Sequence, residues 1–306
     1  MSSDLRLAFI VIMLAGGIAA ILACVSAILP GLLQRSETVR LWLGRLHPRL
    51  ARYTDAIKGE WAFLSIMIVI IVVAAFVFFS IAEDVMEGDP SFAVDQAVYG
   101  LMRSLRTPAG DNWLIAVTEL GDSIVVMTMG VIVAAWLVYR RSWRALLFWV
   151  VAIAGGSVLN TAIKIALHRT RPTDLYHAGW DAFSFPSGHS TTNAVLYGFL
   201  AVLIGHDLPK RLRLPVAYAA AVLVAMIAFS RLYLGAHWLS DVVGGLTFGS
   251  IWVGSLAVLY THRAARDVGA RSLLAVVIAA LVLAGGFHIV RHHTQDLTFY
   301  AIRSRS

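Results

Sequence analysis

Apolar residues come in long runs along this chain, separated by short polar connections. Eight runs stand out, at about 7–33, 61–82, 113–139, 145–167, 189–204, 215–229, 242–260 and 273–289. Most approach the roughly 20 residues that an α-helix needs to cross a bilayer. No long stretch alternates with period two, which argues against a β-barrel. The pattern predicts an all-α, polytopic membrane helix bundle. Between the second and third runs, Val94, Val98, Leu101, Met102 and Leu105 recur at helical spacing, with Arg103 and Arg106 interleaved. This segment reads as an amphipathic helix, either lying in the membrane interface or packed on the protein as a loop helix.

Composition agrees: of 306 residues, 59% are hydrophobic and 14% charged, outside the range of ordinary globular domains. The formal charge of +7 does not call for a nucleic-acid partner, because most basic residues sit in short loops. That distribution speaks to topology. Loops after runs one, three, five and seven hold fifteen Lys and Arg; the opposite side holds ten, four of them in or beside the polar clusters below. The odd-numbered loops are therefore expected in the cytoplasm, with both termini and the clusters on the outer face. The first run follows Arg6 and contains a small-residue patch around Cys24, as a signal peptide would. It is too long for one, and the basic loop after it would have to cross the membrane, so an uncleaved span is expected. The lone Cys24 forms no intrachain disulfide. There is no internal repeat and no low-complexity segment.

Polar residues interrupt the apolar pattern in three places. Lys164 is followed at 171–172 by Arg-Pro; Pro186-Ser187-Gly188-His189 precedes the fifth run; Ser230-Arg231 is followed by His237 and Asp241. Charges at membrane depth are costly and tend to mark function. Lys164 and Arg171, two helical turns apart, share a face if the helix runs that far, although Pro172 biases the chain out of helix there. Three cations without neighbouring carboxylates suit an anion with several oxygens, most obviously phosphate. Ser187 is a candidate N-cap, and a helix beginning at Gly188 offers N–H groups and a positive dipole end to the same anion. His237 and Asp241, at (i, i+4), are expected on one helical face, where the carboxylate fixes the imidazole tautomer. Two histidines in different surroundings supply the attacking group and the proton donor that phosphoryl transfer needs.

In order and spacing, these clusters resemble the three signature motifs of the type 2 phosphatidic acid phosphatase superfamily. That family comprises membrane lipid phosphatases related to soluble acid phosphatases and vanadium haloperoxidases, and the resemblance covers about residues 61–260. It implies that His237 is the nucleophile that forms a phosphohistidine, that Asp241 orients it, and that His189 protonates the leaving group. It implies that Lys164, Arg171, Arg231 and the Ser187–Gly188 segment hold the phosphoryl oxygens, with no metal and no cofactor. The substrate would be a lipid phosphate or diphosphate, presented by the lipid bilayer at the periplasmic face of a bacterial inner membrane. Undecaprenyl diphosphate ranks first. Phosphatidic acid, phosphatidylglycerol phosphate and lipid A phosphates are alternatives, as are a phosphotransferase using the same site and a lipid carrier with a vestigial one. The family core has six helices, so the division expected is 1–60 for an extra first span and its basic loop, 61–262 for the core, and 263–306 for an extra last span.

Further residues carry open readings. Arg169, beside His168, is either a phosphate contact or an interfacial anchor. Tyr176, Trp180, Phe183 and Phe185 line a headgroup pocket or form an aromatic belt. Glu119 and Asp122 pair with a motif arginine or sit at a helix start. His292 and His293 resemble a metal pair but, being adjacent on a helix, diverge. The sequence is silent on oligomeric state.

Overall fold

The computed structural model describes residues 51–87, 91–172, 182–261 and 268–301; the first apolar run lies outside them. They form helices and no strand. The chain divides into two units, residues 1–72 and 73–306. In the first, what is described is the opening part of α1 (Ala51–Glu87), which is helical from residue 51, where a loop up to residue 60 was expected.

The second unit contains the rest of α1 and the helices α2 (Ser91–Ser104), α3 (Pro108–Glu119), α4 (Ser123–Tyr139), α5 (Trp143–Val150), α6 (Gly156–Leu167), α7 (Gly188–Asp207), α8 (Lys210–Tyr233), α9 (Leu239–Thr261), α10 (Ala270–Ala280) and α11 (Gly286–Ala301). Among the described residues, six helical stretches are long and apolar enough to cross a membrane: Met67–Glu87, Pro108–Tyr139, Trp143–Leu167, Arg211–Tyr233, Leu239–Thr261 and Ala270–Tyr300. The 20-residue α7 is not among these six. Its first turns carry Ser190, Thr191, Thr192 and Asn193, and it packs against α4, α6, α8, α9 and α10. A helix enclosed by other helices has no lipid-facing side to keep apolar.

Three of these stretches are interrupted where another helix presses in. The third run was expected as one helix. It breaks between α3 and α4 at Gly121, where a Cβ would lie 2.5 Å from Ile227 and 2.8 Å from the Asn193 amide. α5 joins α6 through a π-helical turn, Val151–Gly155, and α10 joins α11 through another, Leu281–Gly285. Each leads into a Gly-Gly pair. A Cβ at Gly155 would meet Trp252 at 2.6 Å, and one at Gly285 would meet Leu120 at the same distance. A π turn lets the helix take up an extra residue at such contacts.

The core lies around α7 and takes in Met129, Val133 and Leu137 of α4, Trp149 of α5, Leu196, Phe199 and Leu203 of α7, Tyr260 of α9 and Leu273 of α10. α9 approaches α7 closely through small residues: a Cβ at Gly245 would lie 2.8 Å from the Ser187 carbonyl, and one at Gly249 2.7 Å from Ala194. Phe185, one of the candidate pocket aromatics, is instead fully buried against Phe78 of α1, and a Cβ at Gly244 would strike its ring. Phe183 packs edge-on against His168. Tyr176 and Trp180 lie outside the described residues.

The amphipathic segment is α2, and it settles on the protein. Asp95, in the midst of its exposed side chains, is 2% exposed and bound to α9, while Tyr99 packs against Trp238. Its apolar residues Val94, Leu101 and Leu105 remain exposed.

Candidate active site

The end of α6 with the loop after it, the start of α7 with its cap, the end of α8 and the start of α9 with the turn before it meet at one end of the bundle and carry all eight residues singled out in the sequence. Helix α6 stops at Leu167, where His168 takes a left-handed conformation, φ 51°. Lys164 and Arg171 are therefore not on one helical face; the helix ends between them, and Arg171 reaches His237 from the loop. Lys164 is 3% exposed and donates from Nζ to the Phe183 carbonyl at 2.7 Å, so it braces the segment leading into α7.

His237 also departs from expectation. Helix α9 begins at Leu239, so His237 and Asp241 do not share a helical face. Asp241 turns back on the approach to its own helix instead. Its Oδ2 accepts from the Trp238 N–H at 2.9 Å and lies 3.3 Å from His237 Nδ1. On the other side of the ring, Arg171 stands 3.0 Å from Nε2 and donates to the Ala236 carbonyl at 2.8 Å. A guanidinium has donors only, so Nε2 must carry the lone pair and Nδ1 the proton. Burial first, then the charges of Arg171, Lys164, Arg231 and His189, holds His237 well below its ordinary 6.5, so the ring is neutral near pH 7.

Arg169 lies behind Asp241, away from the role of a phosphate contact. It donates to Asp241 Oδ1 and to Asp95 Oδ2, both at 2.6 Å, and to Ser240 Oγ at 2.7 Å. Ser184 Oγ donates to the same Asp241 oxygen at 3.3 Å. A buried carboxylate needs such compensation. Asp95 is thus a site residue that the sequence reading missed; its signal was one acid in an interfacial helix, with nothing to say which way it faced.

Ser187 caps α7: its Oγ accepts from the Ser190 N–H at 3.4 Å and the Ser190 hydroxyl at 3.1 Å, and its own N–H donates to the Asp241 carbonyl at 2.9 Å. The N–H groups that the helix start turns outward are then those of Gly188 and His189. A Cβ at Gly188 would sit 3.8 Å from Asn160 and 3.9 Å from Lys164, ordinary contact distances, so protein neighbours alone do not dictate glycine there.

Arg231, 1% exposed, donates to Thr118 Oγ1 and to the Tyr300 hydroxyl, both at 2.9 Å. Asp122, at the start of α4, makes no capping bond. It pairs with a motif histidine: Oδ1 lies 2.9 Å from His189 Nε2, and Oδ2 lies 2.8 Å from His288 Nε2 on α11. Glu119 meets His293 at 2.9 Å, and His292 stacks on His288. Among the described residues, no group of three or more His, Cys, Asp or Glu is placed to hold a metal ion.

The family model described as the PAP2 superfamily matches residues 145–267 and so spans all eight residues. Phosphatidylglycerophosphatase B of Bacillus subtilis (strain 168) is 31% identical over 180 residues, 58% of this chain and 88% of that protein. The chain belongs to the PAP2 superfamily. YbjG of Escherichia coli K12, provisionally named an undecaprenyl-diphosphatase, is 32% identical over 168 residues, 50% of this chain and 77% of its own. The crystal structure of a transmembrane PAP2-type phosphatidylglycerolphosphate phosphatase from Bacillus subtilis superposes with a TM-score of 0.54 at 28% identity, over 60% of this chain and 92% of that one. The protein is thus a membrane lipid phosphatase of the PAP2 type. The PAP2 match leaves out Asp95, Thr118 and Asp122 upstream and all of α10 and α11 downstream.

Proposed function

We propose that the protein hydrolyses a lipid phosphate or diphosphate through a phosphohistidine on His237, without a metal, at the outer face of the membrane, and that undecaprenyl diphosphate is its substrate. The observation that carries the mechanism is the pair of contacts on the His237 ring, Arg171 at Nε2 and Asp241 at Nδ1. The Nε2 lone pair attacks phosphorus and the bond to the leaving oxygen breaks. Nδ1–H stays with Asp241, whose charge stabilises the imidazolium that forms. His189 gives its proton to the leaving oxygen, then takes one from the water that cleaves the P–N bond and releases phosphate. Lys164, Arg171, Arg231 and the first N–H groups of α7 surround the phosphoryl oxygens.

The distribution of Lys and Arg supports the outer face. A site at helix ends suits a phosphate whose acyl or prenyl chains stay in the bilayer. Phosphatidylglycerol phosphate is the second reading, favoured by the B. subtilis relative.

The test is phosphate release by the purified full chain in one detergent system, comparing undecaprenyl diphosphate, phosphatidylglycerol phosphate, phosphatidic acid and lipid A. Undecaprenyl diphosphate is expected to show the highest kcat/KM. A preference of more than about tenfold, or about 1.4 kcal/mol, for a glycerolipid monophosphate overturns that substrate. Absence of free phosphate with lipid alone, with phosphate passing to an added acceptor, makes the enzyme a transferase.

A further inference from the structure

The last helix is tied to the site by polar contacts that a membrane anchor would not need. His288, Tyr300 and His293 reach Asp122, Arg231 and Glu119 respectively. Polar side chains at membrane depth are costly unless they work for the protein. We propose that Asp122 and His288 are positioning residues for the proton donor, and that His288 from α11 fixes the Asp122 carboxylate, which orients His189 and favours its protonated form. The proposal rests on the reading of His189 as proton donor.

The geometry supports a chain of three. One carboxylate faces two imidazoles with separate oxygens, at 2.9 Å and 2.8 Å, so a bond from His288 restrains the oxygen that faces His189. The stack on His292, 4.6 Å between ring centres, restrains His288 in turn. Asp122 occupies His189 Nε2, leaving Nδ1 to exchange the proton. In the forward step, protonated His189 passes the Nδ1 proton to the leaving oxygen and keeps Nε2–H on Asp122; in the second, Nδ1 takes a proton from water.

The surroundings make this support necessary. Burial first, then the charges of Arg231 and Arg171, opposes an imidazolium at His189, and His237 stands nearby. Asp122 is the carboxylate hydrogen-bonded to His189, and a carboxylate in that position favours the charged ring. Behind Asp122 lie Glu119 and Asp296, which face it from α3 and α11.

The experiment uses the purified full chain and two substrates that differ in leaving group, phosphatidic acid and an alkyl-substituted nitrophenyl phosphate. A nitrophenolate leaves without a proton, whereas an alkoxide needs one. Asp122→Asn should lower kcat on phosphatidic acid about 10- to 100-fold and on the aryl ester less than about threefold. The basic limb of its kcat/KM profile should move to lower pH. His288→Ala should show the same pattern more weakly, and His288→Gln, whose amide N–H replaces the Nε2 donor, should restore activity. Equal losses on both substrates, an unmoved basic limb in Asp122→Asn, or a His288→Gln as impaired as His288→Ala would overturn the proposal. His189→Ala in the same assay separates the two readings. If its loss does not depend on the leaving group, the proton-donor reading itself fails. If it does and the Asp122 and His288 variants do not follow, only the positioning role fails.

Discussion

His237 and His189 meet at the same end of the bundle, yet the protein encloses them by different means. His237 has a side chain 2% exposed, next to a fully buried Asp241. The groups that touch its ring, Arg171 and Asp241, come from the segment after α6 and the start of α9. His189 is 21% exposed and its carboxylate partner 31%. That partner comes from the break between α3 and α4, and the partner's partner from α11. The proposed nucleophile needs one tautomer and one direction, which local chain geometry and a clamped carboxylate provide. The proposed acid must exchange protons with leaving group and water, so it stays more open. Its carboxylate and the histidine behind that carboxylate come from elements outside residues 145–267.

The comparison is broken most severely by His237→Ala. Turnover should fall by more than about 10³-fold, with loss of an acid-labile, alkali-stable phosphoenzyme trapped from the wild-type protein. Persistence of that adduct in the variant would remove His237 from the nucleophile position.

Next in size is Asp241→Asn, which keeps the shape of the side chain but alters its bonds to the Trp238 N–H, His237 and Arg169. A drop of about 10²- to 10⁴-fold in kcat is expected, smaller than that of His237→Ala. A decrease below about threefold would mean that the ring is oriented by Arg171 alone.

Arg171→Gln sharpens the contrast through pH. Arg171 is the largest charge effect lowering the proton affinity of His237, after burial. The free enzyme must hold His237 neutral to attack, so the acid limb of kcat/KM should lie below pH 6.5 in the wild type. Without the guanidinium, His237 protonates more readily and the limb moves to higher pH. The same substitution should lower kcat/KM about 10- to 100-fold through weaker phosphate binding. An acid limb that does not move would show that burial by itself keeps the ring neutral.

The smallest effect is expected at Tyr300→Phe, which removes one acceptor from Arg231 on the α11 side. A loss of about 1 kcal/mol in stability and less than about tenfold in kcat should follow, read from the thermal midpoint and from turnover. If kcat falls as far as in Asp241→Asn, the two halves of the site are not held differently after all.

The sequence by itself determined the all-α membrane architecture, because a helix that crosses lipid must write its length as an apolar run. It also singled out the eight candidate site residues, since charged and imidazole groups beside apolar runs in that spacing stand out against their surroundings. The structure decided which way the chain turns between them. Arg171 reaches the site from the loop after the left-handed His168, and His237 meets Asp241 through a turn ahead of α9, where helical spacing had implied a shared face. The sequence left Arg169 and Asp122 open, the latter between a motif arginine and a helix start, and gave no reason to join Asp95 or His288 to the site. Their partners lie 67 to 166 positions away, and no local periodicity encodes such distances. Pairing of that kind depends on which helices pack together, and packing is set by shape: the glycines at 121, 245 and 249 that admit a neighbour, and the extra residue of the π turn at 281–285 that precedes α11.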